Sequence, residues 1–575
     1  MSNFTPQKRL NQFNQKKQKL FCDACSIELD HTRKCAVEEH IKTPKHRSNL
    51  TKGASNRALD FSLDEKKDKF KRELIISFTS ANIPLNKFNN KYFKKFLTDY
   101  IKPDFQIPSV TTLRNLMPKI YNEEINKLKN YFSGSKVAIM CDETSDTRNR
   151  SVFQIIIKKL DLNSDSKPKL VSTVFLDDVN YKTVSNELLD CIIEMGIKIK
   201  DVMAFITDNA SYMLKSFNSI LNTVWQNCTH VTCFAHIINL VGETWRLNLS
   251  EIDSIVANLK SIFARGSNRK KRFLEFLKSN GIEKPLFYPA PVVTRWNTWY
   301  KAVKYIDQYF ELIKLLISNE CEIDETIALM KLKNLFLGRN LKQKFEFVAS
   351  KCDKFIFTLL KFESHDLSSV NVYEIIFDLY YWLVGQLENY KDKDNIEAYF
   401  ALELFKEAQL KLKKYFIDGG QPAMELLKNS RLFDPLQVIN LINDLDQYSL
   451  SESIKEPIRE DWRIYLEIAN ELSRNIPDNF DLKKWWISMK NRLPGIFQVV
   501  SWLILIPANS CDSERALSKY KIILDERRHN MTDMTIKINN FFYFNFTEGI
   551  FDENVKEDED YLQDDDIIPI TNEEN

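Results

Sequence analysis

Over residues 137–233 the apolar pattern leaves helical spacing and breaks into short β-branched runs, which confines a sheet to one stretch of a largely helix-patterned chain. The run Val137-Ala138-Ile139-Met140, ending at Asp142, reads as a buried strand. Residues 151–162 are β-branched and apolar and precede the polar turn Asn163-Ser164-Asp165-Ser166, and residues 170–175 make a third strand. Residues 184–195 carry apolar side chains at helical spacing. A fourth strand over 202–207 ends at Asp208, a helix follows over 213–225, a short strand over 230–233 and another helix over 234–245. Three strands joined by short turns predict antiparallel neighbours. The helical crossover predicts a fourth strand added in parallel beside the first, in a mixed sheet with helices on its faces.

The flanks are helical. Residues 55–132 hold amphipathic stretches near 66–78 and 92–101, a turn at Pro103 and Pro108, and a helix over about 111–131. Residues 246–490 are helical in pattern throughout. Residues 491–548 return to an apolar segment and then a helix containing Ser513-Glu514-Arg515. At 575 residues, several domains are expected. Only 12 glycines argue against a glycine-loop nucleotide enzyme and for a helix-rich body, and no small-molecule cofactor is expected.

Ten scattered cysteines are too few for a disulfide scaffold. No signal-peptide pattern is visible, and apolar runs such as 497–506 fall short of the roughly 18–20 residues a membrane span needs. A reducing compartment, cytosol or nucleus, follows. Net charge is only +2, but Lys8, Arg9, Lys16, Lys17 and Lys19 crowd the start and nine acids crowd residues 552–566. A basic head suits nucleic acid, and the acidic stretch reads as a solvated, disordered tail.

Cys22-x2-Cys25 is followed by His40 and His46. Two thiolates on a tight knuckle and two imidazoles on a following helix can close a tetrahedron around Zn²⁺, which in so small a fold supplies most of the folding free energy. His31 and Cys35 spoil the spacing and read as non-ligands. Arg33, Lys34, Lys42, Lys45 and Arg47 flank the ligands and suit contacts to DNA phosphates.

Asp142 and Asp208 end two strands that the expected topology makes neighbours, so their carboxylates can converge at one sheet end. Converging carboxylates do not both ionise cheaply without a cation between them. Their natural use is to hold two Mg²⁺ ions for phosphoryl transfer, with a third acid from a facing helix, for which Glu514 is the candidate. An Asp at a strand end is also an ordinary helix cap, and Glu143, Asp146, Asp177 and Asp178 are rival acids.

The segment from Leu29 to His46 resembles the BED-type finger of transposon-derived proteins, of the CGG-repeat-binding kind. The ordered runs Cys141-Asp142-Glu143-Thr144-Ser145-Asp146, Ile206-Thr207-Asp208-Asn209-Ala210-Ser211, Cys233-Phe234-Ala235-His236, Thr294-Arg295-Trp296 and Ser513-Glu514-Arg515-Ala516-Leu517-Ser518 resemble the hAT transposase family over residues 85–548. That resemblance implies an RNase H-like catalytic domain split by an all-helical insertion. Asp142, Asp208 and Glu514 would be its metal triad, loaded with Mg²⁺ or Mn²⁺. His236 would order the site or touch the scissile phosphate, and Arg295 and Trp296 would lie on DNA, the tryptophan stacking on an unpaired base. The last segment resembles the family's dimerisation region; the run Phe541-Phe542-Tyr543-Phe544 suits either an intersubunit core or burial within its own chain. Leu517-Ser518-Lys519-Tyr520 departs from the family's usual phenylalanine after the Glu-Arg pair, and Glu143 follows Asp142 where many members carry other residues.

The expected organisation is therefore α/β plus all-α. Residues 1–54 form a basic arm and finger, 55–132 a helical DNA-binding or dimerisation region, and 133–245 the first part of an RNase H-like core. Residues 246–490 are a helical insertion, 491–548 the end of the core with the dimerisation region, and 549–575 the acidic tail. The expected function is a nuclear transposase that binds double-stranded DNA, acts as a homodimer or higher oligomer and cuts and joins strands. Two other functions fit the same residues: a domesticated, non-catalytic DNA-binding regulator, and a generic nuclease.

Overall fold

The computed structural model describes residues 4–5, 20–22, 25, 27–29, 34–51, 55–101, 107–164, 167–264, 267–292, 296–324, 326–364, 367–524, 528 and 530–547. The chain divides into two compact units, Met1–Tyr121 and Asn122–Asn575. The basic arm (apart from Phe4 and Thr5), Arg33, Arg295 and the acidic tail lie outside the described residues.

In the first unit three short strands, β1 (Phe4–Thr5), β2 (Leu20–Cys22) and β3 (Ile27–Leu29), form an antiparallel sheet in the order β1-β2-β3. Helices α1 (Lys34–Lys42), α2 (Pro44–Thr51), α3 (Ser55–Ser80) and α4 (Lys91–Tyr100) follow, and α5 (Val110–Phe132) begins in this unit and ends in the next. The break between α1 and α2 is set by Thr43. Its hydroxyl donates to the His40 carbonyl at 2.7 Å and accepts from the His46 backbone N–H at 3.2 Å. One side chain thereby closes one helix and opens the next, with Pro44 at the first position of α2, where a missing N–H costs nothing.

The second unit is built on five strands: β4 (Val137–Ser145), β5 (Ser151–Lys159), β6 (Lys169–Leu176), β7 (Val202–Thr207) and β8 (Thr229–Thr232), in the order β6-β5-β4-β7-β8. The β4–β5 and β5–β6 pairs are antiparallel, and the β4–β7 and β7–β8 pairs are parallel. The sequence predicts this mixed sheet and the place of the fourth strand beside the first. Helix α6 (Tyr181–Glu194) makes the crossover, capped by Asn180, whose side chain accepts from the Lys182 and Thr183 N–H groups. Helices α7 (Ser211–Ser216) and α8 (Asn222–Val224) flank a π turn at Phe217–Leu221, and α9 (Phe234–Asn248) leaves β8.

Alternation along the strands separates two cores. Ile139, Cys141, Phe153, Ile155 and Phe205 face α6 and the α7 segment. Ala138, Met140, Ile156, Ala204 and Ile206 face the other way, in a core continuous with α9 and the helices beyond it. From Ser250 to Met489 the described residues form helices and turns with no strand, as the helical pattern of 246–490 predicts. This body is tied to α9 through Trp245, whose indole N–H donates to the Leu404 carbonyl of the helix Ile396–Phe416 at 2.9 Å.

The helices Cys511–Ile523 and Asp533–Thr547 lie over β4, β5 and β6, where Val152, Tyr520, Leu524 and Ile536 share a small core. Phe541, Phe542, Tyr543 and Phe544 are all buried within their own chain, which decides between the two readings of that run. Both edges of the sheet are closed by side-chain amides. Gln421 accepts from the Thr232 N–H at 3.1 Å and donates to its carbonyl at 2.6 Å, while Asn545 does the same to Leu170 at 2.9 and 2.8 Å. Each amide satisfies backbone groups that an edge strand would leave open.

Candidate active site and N-terminal metal cluster

The parallel register pairs Met140 with Ile206, two residues before Asp142 and Asp208, so the two aspartates stand at one level and on one face. Strand β4 does not end at Asp142 as the apolar run suggests but continues to Ser145 because its pairing with β5 goes on, Asp142 opposite Gln154, whereas β7 stops at Thr207. Asp142 accepts from the Glu143 N–H at 2.8 Å, and Asp208 accepts from the Ala210 N–H at 3.1 Å, which turns the chain into α7. Asp208 thus also caps a turn, as its bland reading requires. The backbone beneath it is fixed by the Thr207 hydroxyl, which donates to the Asp208 carbonyl at 2.7 Å and lies 2.9 Å from His230 Nε2. His230 is fully buried, and burial pushes its pKa down to about 4, so the imidazole is neutral.

Glu514 comes from more than 300 residues away, yet its helix starts beside β8 for local reasons. The Phe234 N–H donates to the Ala508 carbonyl at 3.0 Å, the Ser510 N–H donates to Cys233 Sγ at 3.3 Å, and the Cys511 N–H donates to Asn509 Oδ1 at 2.9 Å. Cys511 also donates to Cys233, which draws the Cys233 thiol down against the upward push of burial. Glu514 itself is exposed, in the first turn of the helix Cys511–Ile523.

The electrostatics of the three acids meet at Asp142. Burial raises its pKa to about 7, the Glu143 N–H works against that rise, and the charges of Asp208, Glu514 and Glu143 add to it. Among the described residues none of Asp142, Asp208 and Glu514 forms an ion pair. Tyr212 joins the same field: burial first, then Asp208, Glu143 and Asp142, push its phenol upward. Hard oxygen donors carrying uncompensated negative charge are the donor set that Mg²⁺ or Mn²⁺ takes.

Other predicted residues fall in different places. His236 stands half-buried in the first turn of α9, behind Cys233. Trp296 is 2% exposed, stacked on Tyr300 at 5.9 Å and edge-on to Phe355 at 5.8 Å; a base could reach it only if it left that packing. Of the rival acids, Asp146 is held by Arg150 at 2.9 Å and by the Tyr520 hydroxyl at 3.1 Å. Three neighbours were not anticipated: Cys511, Tyr212, and Asn209, whose amide donates to the Tyr415 hydroxyl at 3.2 Å. Cys511 and Asn209 sit inside the quoted runs or beside them, but nothing in a linear pattern marks what they touch.

In the first unit the ligand atoms of Cys25, His40 and His46 lie within 4.8 Å of one another, with Cys25 Sγ 3.6 Å from His46 Nδ1. The His40 and His46 rings meet edge to face at 4.8 Å. Burial, then the charge of His46, lowers the His40 pKa, which keeps it in the neutral form a metal takes. The sulfur and nitrogen donors fit zinc. Cys22 ends β2 three positions ahead of Cys25, and its backbone alone is described, as is that of Lys34; Lys42, Lys45 and Arg47 are exposed around the cluster.

Residues 1–52 match the CGGBP1 N-terminal domain, and residues 461–539 match the hAT family C-terminal dimerisation region. The chain belongs to the proteins derived from hAT transposases. Its N-terminal region is of the CGG-repeat-binding kind: the CGG triplet repeat-binding protein 1 of Homo sapiens is 30% identical over 125 residues, covering 20% of this chain and 74% of the relative. The Mus musculus protein of the same name is 29% identical over 119 residues, covering 18% of this chain and 71% of the relative. No helix among the described residues is long and apolar enough to cross a membrane.

Proposed function

We propose that the chain is a hAT-type DNA transposase, working in the nucleus on double-stranded DNA through a zinc finger, an RNase H-like core and a self-associating C-terminal region. The observation that supports cleavage is the rise of Asp142 to about 7 under burial and the charges of Asp208 and Glu514. Asp142 within β4 and Asp208 just past β7, with Glu514 on a helix near enough for its charge to reach Asp142 and no cationic side chain paired to any of the three, suit a ligand that supplies positive charge.

Asp142, Asp208 and Glu514 would hold the catalytic Mg²⁺ or Mn²⁺, which when bound activates a water or 3′-hydroxyl and stabilises the leaving oxygen of the phosphodiester. The chain's own contribution is placement. Burial holds Asp142 in a low-dielectric site, where its attraction for a cation is stronger than in water. The Ala210 N–H fixes one oxygen of Asp208, and the contacts at Ala508 and Ser510 anchor the start of the helix that carries Glu514. His236, in the first turn of α9, would face the DNA beside these acids; Arg295 would contribute a DNA contact from the insertion, and Trp296 would do so only on leaving its packing against Tyr300 and Phe355. Cys22, Cys25, His40 and His46 would bind structural Zn²⁺, with Arg33, Lys34, Lys42, Lys45 and Arg47 on phosphates.

A duplex carrying terminal inverted repeats of the kind a hAT-type element would have at its ends, incubated with full-length protein and Mn²⁺, should be nicked at the repeat end. Asp142→Asn, Asp208→Asn and Glu514→Gln should each abolish nicking. Nicking that survives all three removes the assigned chemistry. A second reading, a domesticated DNA-binding regulator, draws on the printed name of the curated relatives, repeat-binding proteins that share only the finger-bearing fifth of this chain's length. It is the outcome if tight, zinc-dependent binding comes without nicking.

A further inference from the structure

The sheet face that carries Asp142 also carries a buried amide with no part in the chemistry above. In the antiparallel ladders Asp142 stands directly opposite Gln154 of β5, and Gln154 stands directly opposite Thr173 of β6. Directly paired residues project to one face with β-carbons about 4.5–5.5 Å apart, so the three side chains form a single row across the sheet. The helix Cys511–Ile523 packs on β4 and β5 and the helix Asp533–Thr547 on β6, which covers this face.

Gln154 is fully buried, and among the described residues neither its amide nitrogen nor its amide oxygen has a hydrogen-bond partner. Such a group costs free energy in any fold, and native proteins keep few of them. The same face takes Val152 and Ile156 at the flanking positions, both fully buried, so an aliphatic side chain would serve a purely structural role without stranding polar atoms. The two ends of the row offer what the amide lacks. Asp142 accepts from the Glu143 N–H through Oδ1, and among the described residues no group donates to its other oxygen. Thr173 accepts from the buried Asn540 amide at 3.0 Å through its hydroxyl oxygen, which leaves the hydroxyl proton to give. The outermost torsion of a glutamine is soft, so the amide can turn its N–H to Asp142 on one side and its oxygen to Thr173 on the other.

We infer that Gln154 is a positioning residue for the metal site: its amide N–H holds one oxygen of Asp142 and fixes the direction in which that carboxylate meets a cation, while the Thr173 hydroxyl, backed by Asn540, holds the amide. Partners of this kind orient a ligand without touching the ion. The inference rests on the metal-binding reading of Asp142, Asp208 and Glu514.

The test is calorimetric titration of the full-length protein with Mn²⁺, counting the binding that Asp142→Asn abolishes, beside the melting temperature of the metal-free protein. Gln154→Met keeps the volume and removes the amide. It should weaken Mn²⁺ binding about ten- to hundred-fold. Its metal-free melting temperature should equal or exceed the parent's, because no unpaired amide is then buried. Thr173→Val keeps the shape, touches no acid and should weaken Mn²⁺ binding by a smaller factor, about two- to five-fold. Unchanged Mn²⁺ affinity in either variant overturns the assignment. So does a loss of affinity in Gln154→Met matched by a fall in the metal-free melting temperature, the mark of a role in packing alone. If Gln154→Met does not fold, Thr173→Val decides by the same criterion. If the parent binds Mn²⁺ through Asp142 and both variants bind it equally well, this inference falls and the metal reading stands; if the parent shows no such binding, both fall.

Discussion

Met140 and Ile206 are partners across the parallel β4–β7 ladder, and everything about the candidate active site follows from that register. A slip of one residue would send Asp142 and Asp208 to opposite faces of the sheet, because side chains alternate with period two. The same face receives the helix Cys511–Ile523, so Glu514 is delivered by packing rather than by sequence proximity.

Metal and pH should act on stability together. In the metal-free protein the Asp142 carboxyl is raised from 3.8 to about 7, so the folded state keeps a proton that the unfolded chain has lost. Stability therefore falls as pH rises from about 4 to about 7 and stays lower above it, by on the order of 4 kcal/mol at most. Mn²⁺ should restore it at pH 8. Asp142→Asn should raise the metal-free melting temperature at pH 8 and remove the Mn²⁺ response, measured by differential scanning calorimetry. An unaltered Mn²⁺ response in that variant would place the ions elsewhere.

The cluster of Cys25, His40 and His46 should copurify with one zinc per chain, counted by elemental analysis. Cys25→Ser or His46→Ala should lose the ion and weaken duplex binding by more than about ten-fold, since a zinc ion held there would supply most of the folding free energy of so small a module. Cys22→Ser should do the same if its thiolate completes the tetrahedron. Zinc retained in all three variants contradicts the ligand set.

Asp146 staples the β4–β5 turn to the C-terminal helices through Arg150, Arg148 and Tyr520, and Arg150 continues to Asp533 at 2.6 Å. Burial would raise its pKa, but bonds from the Arg150 backbone and guanidinium, the Arg148 N–H and the Tyr520 hydroxyl outweigh burial and hold it below 3.8. The stability this gives is present above about pH 4 and is lost as pH falls through the lowered value. Asp146→Asn should cost about 2–4 kcal/mol near neutral pH and flatten the acid limb of a urea-denaturation series. An unchanged acid limb would mean the staple contributes nothing.

Gly242→Ala should destabilise by about 1–3 kcal/mol, because a β-carbon there would sit 2.4 Å from the Trp296 ring with packed neighbours behind it. Trp296→Phe in the same background should recover part of the loss. A neutral Gly242→Ala would show that the indole readily moves aside.

The sheet was legible because its strands differ in period from everything around them, and the nearness of Asp142 and Asp208 was legible because topology makes β4 and β7 neighbours, although β4 runs on to Ser145 where the apolar pattern stopped at Asp142. Glu514 carries no such mark: it is one exposed acid among 79 acidic residues, and only the resemblance singles it out. Trp296 and the run from Phe541 to Phe544 show a different limit. An aromatic residue has the same letters whether it faces a base, a partner or its own core, and here packing buries all five. The Cys233–Cys511 contact was invisible because a lone cysteine in each of two distant segments has no periodicity to betray it. Of the four ligands the spacing named in the first unit, Cys25, His40 and His46 lie close together, and only the backbone of Cys22 is described.

Gln421 and Asn545 have a consequence beyond tidiness. With an amide seated on Thr232 and another on Leu170, a second molecule cannot lengthen the sheet at those positions without first evicting a side chain that already matches both backbone groups. Growth into fibres by ladder addition is thereby discouraged at Thr232 and Leu170.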